Sequence, residues 1–280
     1  DIRKIDISWL SGGVSVQAVG QTSQITVQED ATAELAEDEK LVCTVDGDTL
    51  RIRFMSDANR DGFEGEKFLT VSLPWELVKN AHFEEIDIET TSAYAYVSAD
   101  AQKIELSTLS GDARVMGASC PEVEIETTSG NAGVVDGTWA KVDISTVSGA
   151  IELAGDADSA GIETTSGKTD IAGALGTLEF ASVSGNLILS SERALRLDAK
   201  TTSGGIDLTL PESDGFTLTH ETTSGALETD LTGREGTLIA CGDHFTRYTV
   251  PALDGGGTSE LEILTVSGGL TIKASRFGSD

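Results

Sequence analysis

The acidic stretch DANRDG, residues 57–62, has the residue types and the spacing of a calcium-binding loop. Such loops carry oxygen ligands at their first, third and fifth places and glycine at the sixth; the oxygen ligands here are Asp57, Asn59 and Asp61. The twelfth place holds Phe68 instead of a bidentate glutamate, although Glu64 lies close by. The stretch predicts either a calcium site or a solvated hairpin loop, and calcium is the only cofactor that the sequence suggests.

A second candidate group is the serine of the hexapeptide IETTSG, which occurs at 125–130 and again at 162–167. A serine nucleophile needs a general base within hydrogen-bond reach. The chain has three histidines, His82, His220 and His244, and about nine copies of the motif serine cannot share them. We therefore predict that these serines are structural, as turn residues that bond to the backbone.

Glutamates recur three residues before the motif serine, at Glu89, Glu126, Glu163 and Glu221. Two carboxylates about 5 to 9 Å apart in a cleft could hydrolyse a glycoside. Rows of acidic residues on a repeat protein meet that distance anywhere, so polysaccharide cleavage stays only an alternative and the sequence predicts no enzyme. Cys241 and His244 have an i, i+3 spacing, but a zinc site needs further ligands and none stand near them in sequence.

The motif serines and the glutamates before them belong to a repeat of 18 to 21 residues. Each copy of the repeat is marked by a Ser-Gly pair or by a serine alone. Ser92 is followed by copies up to Ser224, then by one more at Ser267, and ISWLSGGVSV around Ser11 matches ILTVSGGLTI around Ser267. The predicted corner residues are Ser110, Gly111, Ser129, Gly130, Ser148, Gly149, Ser166, Gly167, Ser184, Gly185, Ser203, Gly204, Ser224, Gly225, Ser267 and Gly268.

The columns of this repeat have the period of β-strands. Large apolar residues dominate the positions six and four before the serine, and threonine dominates the position two before it. After the serine the apolar residues move to odd offsets, which a chain that turns at Ser-Gly would produce. A second glycine group, Gly117, Gly137, Gly155 and Gly173, marks another turn. Threonines that share the inward parity predict a buried ladder of mutually bonded hydroxyls.

The sequence therefore predicts an all-β protein, a single-stranded parallel β-helix with coils of about 18–21 residues. The alternative is a sandwich or barrel of hairpins, which would not need identical columns. Residues 1–80 are predicted to form a β-rich N-terminal cap that is continuous with the solenoid. Residues 81–280 would form the repeat region, with a long irregular coil near 236–260. In the cap, KLVCTVDGDTLRIRF predicts a hairpin, KFLTVSLP predicts a strand, and Trp75 is predicted to be buried.

Charge excludes some partners. The 19 basic and 47 acidic residues give a formal net charge of −28, which repels nucleic acid and anionic lipid. The same field attracts cations or basic peptides, although acidic surfaces also serve solubility. The three cysteines show no disulfide or zinc-finger spacing. The chain begins at Asp1 and not at Met, so we expect that a leader or membrane anchor is missing.

The segments IETTSG, ISTVSGAIEL, IETTSGKTDI, ILTVSGGLTI and KFLTVSLP resemble the bacterial "putative adhesin" family of β-strand-repeat domains of unknown function. The resemblance covers nearly the whole chain and implies an exported or membrane-anchored envelope protein with a β-helical solenoid. It supplies no active residues. We expect a non-enzymatic adhesin or interaction module whose partner is a protein or another envelope component. The alternative is an envelope-stress sensor or regulator ectodomain that binds cationic ligands.

Overall fold

The computed structural model describes residues 2–20, 22–56, 65–80, 82–231, 234–242 and 244–275. Within these ranges the protein is all-β, with 24 strands and one helix of four residues. No helix in the described ranges is long and apolar enough to cross a membrane. The chain divides into two compact units, Asp1–Trp139 and Ala140–Asp280.

Unit 1 contains the strands of the first half of the chain. They are β1 (Lys4–Trp9), β2 (Gly12–Val19), β3 (Thr26–Ala31), β4 (Val42–Asp46), β5 (Thr49–Arg53), β6 (Lys67–Pro74), β7 (Glu85–Thr90), β8 (Tyr94–Ser98), β9 (Lys103–Thr108), β10 (Ala113–Met116) and β11 (Cys120–Thr127). The helix α1 (Trp75–Val78) follows β6, and β12 (Ala132–Thr146) begins in unit 1 and ends in unit 2.

Unit 2 contains the remaining strands. They are β13 (Ile151–Thr164), β14 (Thr169–Gly173), β15 (Leu175–Ser182), β16 (Leu187–Ser191), β17 (Arg196–Thr201), β18 (Ile206–Pro211), β19 (Gly215–Thr222), β20 (Leu227–Asp230), β21 (Thr237–Gly242), β22 (Phe245–Val250), β23 (Thr258–Thr265) and β24 (Leu270–Ser275).

Strands one repeat apart pair in parallel, in the register that the sequence columns predict. In unit 1, Ile86 of β7 pairs with Ile104 of β9, which pairs with Val123 of β11. We call two consecutive strands that lie at one level of the stack, one on each side of a corner, a rung. The rungs stack so that equivalent apolar side chains fill one continuous interior, and the side chains of Ile86, Ile104 and Val123 are fully buried there.

The order of rungs in unit 1 is not the order of the chain. Strand β1 pairs with β5 on one side and with β7 on the other, and β2 likewise lies between β6 and β8. The first rung of the chain, β1 and β2, is therefore second in the stack, and the β5/β6 rung lies outside it. Strands β4 and β3 then pair antiparallel to β5 and β6, as the hairpin predicted around Asp46 requires for β4 and β5.

Unit 2 shows the same displacement at its other end. Strand β23 pairs in parallel with β17 and with β19, and β24 pairs in parallel with β18 and with β20. The last rung of the chain, β23 and β24, is therefore inserted between two rungs that precede it in sequence. Outside β19, strand β22 pairs antiparallel to it, and β21 pairs antiparallel to β22.

A buried lysine closes the outer rung of unit 1. The Lys67 side chain is fully buried, and its ammonium donates to Glu29 Oε1 at 2.8 Å and to the carbonyl oxygens of Glu39 and Phe54. The same ammonium lies 4.3 Å from the centre of the Phe54 ring. The Trp9 indole donates to the Lys67 carbonyl oxygen at 3.0 Å. One cation thereby joins β3, β6, the loop before β4 and the residue that follows β5.

The outer end of unit 2 is held differently. The Arg234 guanidinium donates to the carbonyl oxygens of Glu212, Asp214 and Pro251. Strand β21, by contrast, is exposed along its whole length, including Leu238 and Ile239. The segment 236–260, predicted to be an irregular coil, contains β21, β22 and the start of β23.

One burial prediction is wrong. Trp75 begins the short helix α1 but is 49% exposed, whereas Val78 of the same helix is buried. A helix of four residues packs only one face against the neighbouring strands β2 and β6, and Val78, not Trp75, lies on that face. Elsewhere the predicted parity holds, and the inward positions of β7, β9 and β11 alternate with exposed or half-buried ones.

Candidate functional site

The motif serines lie at the corners of the rungs and bond to the neighbouring rung. Ser110 Oγ donates to the carbonyl oxygen of Thr91 at 3.2 Å, and the backbone N–H of Ser110 donates to the same oxygen at 3.0 Å. The same hydroxyl bond to a neighbouring carbonyl is made by Ser92, Ser129, Ser166, Ser184, Ser203, Ser224 and Ser267. A carbonyl oxygen cannot remove the hydroxyl proton, so this geometry holds a corner and does not activate a nucleophile.

Where glycine follows the motif serine, it lies where no side chain fits. At Gly130 an added Cβ would overlap the carbonyl oxygen of Gly111, and at Gly167 it would overlap that of Gly149. Adjacent rungs thus approach through backbone alone at this corner, which explains why glycine recurs there.

The threonine two residues before the serine points inward, as predicted, and is buried or half-buried, but its hydroxyl bonds differently from the prediction. Thr127 Oγ1 accepts the N–H of Gly130, and Thr164 Oγ1 accepts that of Gly167, both at 2.9 Å. Equivalent bonds follow at Gly111, Gly149, Gly204 and Gly225. A turn leaves the glycine N–H without a ladder partner, so the nearest hydroxyl accepts it instead of a neighbouring threonine. The hydroxyls of Thr265 and Thr222 do bond to each other, at 2.9 Å.

The four predicted outer glutamates are exposed, but the structure does not bring them together as one row. Glu89 pairs in register with Ser107 of β9, and Ser107 pairs with Glu126 of β11. Glu89 and Glu126 are therefore two rungs apart in unit 1. Glu163 and Glu221 lie in unit 2.

A denser acidic row lies beside these glutamates in unit 1, and the sequence reasoning missed it. Asp6, Asp87, Glu105 and Glu124 occupy successive rungs in direct register. All four stand five residues before a motif serine, so the column was readable in the sequence. Like charges directly opposite each other in a sheet are destabilising, so this row is held together by the rest of the unit.

Basic side chains neutralise the two ends of this row. Arg53 donates to both carboxylate oxygens of Asp6, at 2.7 and 2.8 Å. Lys103 lies 2.8 Å from the Glu105 carboxylate and 3.2 Å from that of Glu124. Asp87 lies between these two pairs. Partial burial, the nearby charges of Glu105 and Glu89, and weaker effects of Asp6 and Glu85 raise the pKa of Asp87 to about 6.

A shallow groove of about 300 Å³ lies next to the acidic row in unit 1. Its lining residues come from β1, β7 and β9 and the corners that follow β7, β9 and β11: Ser8, Trp9, Glu89, Thr90, Thr91, Ser107, Thr108, Leu109 and Thr128. Glu89 supplies a carboxylate and Leu109, which is 55% exposed, supplies an apolar surface. The groove and the row together form what we call the acidic face: the groove-lining residues with Asp6, Asp87, Glu105, Glu124 and Glu126.

The other candidates from the sequence do not join this face. The predicted calcium ligands Asp57, Asn59, Asp61 and Glu64 lie outside the described residues. Within the residues that are described, no group of three or more His, Cys, Asp or Glu side chains could hold a metal ion. Cys241 and His244 are exposed at the end of unit 2. Burial raises the pKa of the Cys120 thiol to about 11, so this cysteine stays protonated at neutral pH.

The model of one protein family matches residues 2–273, and its description is Toastrack DUF4097. The chain belongs to this family. It is similar to the crystal structure of a "putative adhesin" from Bacteroides fragilis, at 12% identity and a TM-score of 0.50, over 98% of this chain and 93% of that one. It also matches a "putative cell adhesion protein" from Clostridium sporogenes, at 13% identity and a TM-score of 0.26, over 98% and 94% of the two chains. No curated protein matches the chain.

The Toastrack family and the Bacteroides fragilis structure agree with the expected resemblance to a bacterial β-strand-repeat family. At 12% identity the likeness shows the fold alone. The chemistry of the acidic face must therefore be argued from its own residues.

Proposed function

We propose that this Toastrack chain is a non-enzymatic interaction module of the bacterial envelope that binds a positively charged partner through the acidic face of unit 1. The fold behind this proposal is a single-stranded parallel β-helix with coils of 18–21 residues. The name of the similar Bacteroides fragilis structure, a "putative adhesin", supports a surface role, with export or a membrane anchor. The partner would be a protein or another envelope component.

The observation that carries the proposal is the unbroken row of carboxylates Asp6, Asp87, Glu105 and Glu124 on four successive rungs. Arg53 pairs with Asp6, and Lys103 pairs with Glu105 and Glu124, so the remaining repulsion falls on Asp87, which lies about 4.8 Å from a carboxylate-bearing strand position on either side. Partial burial, and after it this repulsion, raises the pKa of Asp87 to about 6. A cationic partner would relieve the repulsion at Asp87 on binding, so the free energy lost there in folding would return as affinity.

The corner geometry supports a role without catalysis. The serine hydroxyls bond to carbonyl oxygens, as at Ser110, and the Cys120 thiol is held protonated. Enzymatic cleavage of polysaccharide would need one carboxylic acid and one carboxylate across a cleft. The protonation of Asp87 near pH 6 keeps the sensor alternative open, because a cationic ligand would compete with that proton.

The test is retention of the purified protein on isolated bacterial envelopes at low and at physiological salt. The acidic-face variant is Asp87→Asn with Glu105→Gln, and the matched control in unit 2 is Glu179→Gln with Asp198→Asn, two residues that also pair in register. We expect retention to weaken with salt and to fall at least about tenfold for the first variant only. Equal retention of both variants, or release of reducing sugar at catalytic protein concentration, would refute the proposal.

A further inference from the structure

The residues directly before the motif serines alternate between apolar and polar along unit 1. Backbone bonds from Ser92, Ser110 and Ser129 to the neighbouring carbonyl oxygens set the order of this outer row. The row reads Leu10, Thr91, Leu109, Thr128. Leu10 and Thr91 are neighbours in the stack although 80 residues of chain separate them in sequence.

Unit 2 shows the same alternation, and at the end of its row the alternation does not follow the order of the chain. Backbone bonds from the serines of successive rungs order its row as Val147, Thr165, Val183, Thr202, Val266, Thr223. In chain order the last three residues read Thr202, Thr223, Val266, which breaks the alternation. The alternation returns only because the rung of β23 and β24 is inserted between β17/β18 and β19/β20.

The residues two positions earlier on each strand form a second row, which alternates between charged and uncharged residues on the same rungs. In unit 1 it reads Ser8, Glu89, Ser107, Glu126. In unit 2, from β13 onward, it reads Glu163, Ala181, Lys200, Leu264, Glu221. Each rung with a charged residue here carries threonine before its serine, and each rung without charge carries leucine or valine. The surface therefore repeats every two rungs.

Neither packing nor charge repulsion accounts for the whole of this repeat. Valine beside valine, or threonine beside threonine, is a favourable neighbour pair in a sheet. Repulsion explains the spacing of Glu89 and Glu126, since the unbroken row beside them is compensated by Arg53 and Lys103. Repulsion does not explain the alternation of threonine with leucine or valine, because these side chains carry no charge. The period of two rungs is thus a property of the outer surface, and we look for its cause in what binds there.

Two rungs span about 9.6 Å, because neighbouring strands lie about 4.8 Å apart. A polyproline II helix rises about 3.1 Å per residue with three residues per turn, so its turn of about 9.3 Å repeats at nearly the same distance. An extended β-strand repeats its side chains about every 6.7 Å and would lose register within one repeat. Of these two peptide conformations, polyproline II is therefore the one whose repeat distance matches that of this surface.

We infer that the acidic face binds a cationic peptide segment in the polyproline II conformation, with a basic residue at every third position and proline between them. One basic residue would face Glu89, and the next would face Glu126. The prolines would pack on the exposed side chain of Leu109, which lies on the rung between those of Glu89 and Glu126. The inference rests on the proposed function and names the chemistry of the partner.

The carboxylates of unit 1 select this occupant over others. In unit 2 the corresponding charged positions read Glu163, Lys200, Glu221, so a lysine interrupts the acid there. In unit 1 both charged positions are glutamate, and the adjoining row adds further carboxylates. A second copy of this chain, with its formal net charge of −28, would be repelled.

The test uses fluorescent synthetic peptides and the whole protein at physiological salt. The matched peptide is (Lys-Pro-Pro)₆, and the control has the same composition with its six lysines in three adjacent pairs. A soluble chitin oligosaccharide serves as the glycan probe. We expect the matched peptide to bind at least about tenfold more tightly than its control. Tenfold loss is expected for Glu89→Gln with Glu126→Gln and for Leu109→Thr, but not for Glu163→Gln or Val183→Thr in unit 2.

Each other outcome contradicts the inference. Equal binding of the two peptides means attraction by net charge alone, and binding of the oligosaccharide without either peptide assigns the face to glycan. Loss of binding in the unit 2 variants moves the site elsewhere. If the peptides show no preference while envelope retention still depends on Asp87 and Glu105, only this inference fails and the proposed function stands.

Discussion

The two units place their terminal rungs in the same way, at opposite ends of the chain. In unit 1 the first rung, β1 and β2, lies inside the rung of β5 and β6. In unit 2 the last rung, β23 and β24, lies inside the rung of β19 and β20. A strand at the end of a stack offers an open edge. Inserting it one rung inward gives it a partner on both sides.

What lies outside the inserted rung differs between the units. Unit 1 ends in the buried ammonium of Lys67 and two antiparallel strands, β3 and β4. Unit 2 ends in β22 and the exposed strand β21. The acidic row of unit 1 is also denser, since unit 2 has Gly161 and Thr219 at the equivalent positions. We therefore expect unit 1 to be the more tightly closed unit and the one that binds.

The largest effect is expected at Lys67. Replacing Lys67 by methionine leaves the Glu29 carboxylate, which is 10% exposed, without its cation. Breaking a buried ion pair costs about 3–5 kcal/mol. We expect the free energy of unfolding of unit 1, measured in urea, to fall by that amount. Lys79→Met, which removes an exposed ion pair with Glu76, is the control and should cost less than about 1 kcal/mol. A small loss for both variants would show that the lysine does not close unit 1.

The corner glycines should be equally sensitive in both units. An alanine Cβ at Gly111 would overlap the Ala93 carbonyl oxygen, and one at Gly167 would overlap that of Gly149. Because the rungs must separate to admit the methyl group, we expect each Gly→Ala variant to lose about 1–3 kcal/mol in thermal unfolding. Gly20→Ala is the control, since nothing lies within 4 Å of its added Cβ. Unequal losses at Gly111 and Gly167 would argue against a shared corner.

The repeated hexapeptide allows a closer comparison of the two units. Thr127→Val and Thr164→Val each remove the hydroxyl that accepts a glycine N–H at 2.9 Å, in identical local sequence. An unsatisfied buried N–H should cost about 1 kcal/mol or somewhat more, and hydrogen exchange of Gly130 and Gly167 should rise. Thr165→Val, at an exposed position, should change neither quantity. Unchanged exchange at both glycines would contradict the observed bonds.

Acidification should affect the two units in opposite directions. The folded pKa of Asp87 is about 6, above its ordinary 3.8, so folded unit 1 gains stability as pH falls through 6 toward 4. Burial lowers the pKa of His220 below 6.5, so unit 2 loses stability as pH falls below 6.5. Because Asp87 is half-exposed and screened, we expect less than about 1 kcal/mol from it.

Hydrogen exchange in β7 and β19 at pH 7 and pH 5, corrected for intrinsic rates, measures both effects. Asp87→Asn should abolish the gain in β7, and His220→Gln should abolish the loss in β19. A change of the same sign in both strands would mean that these two groups do not control the response.

Much of this fold could be predicted from the sequence, because its columns are set by local rules. The inward parity around Ile104, the corner at Ser110 and Gly111, and the hairpin at Asp46 all follow from side-chain period and turn chemistry. The rung order could not be predicted, because it depends on pairing between strands that are distant in sequence. The prediction that Trp75 is buried was wrong for a similar reason. The strands that a single helical turn packs against decide which of its faces is buried, and the local sequence does not show them.

The candidate site was only half visible in the sequence. The outer glutamates were found, but Glu89 and Glu126 gain meaning only beside Leu109 and the acidic row. The row through Asp87 is present as a column in the sequence. Its cost in folding stability, however, appears only when the rungs are stacked in register. The alternation of Val266 with its neighbours is invisible until the last rung is placed in the stack.

The rung order is the central claim, because the alternating surface depends on it, and cysteine cross-linking tests it most directly. In a background without native cysteines, Lys200→Cys with Leu264→Cys places thiols on directly paired, exposed positions. Lys200→Cys with Glu221→Cys places them two rungs apart, about 9.6 Å, which is beyond the reach of a disulfide. Mild oxidation should cross-link the first pair and not the second. Cross-linking of the second pair alone would mean that the rungs follow chain order, and would contradict the account.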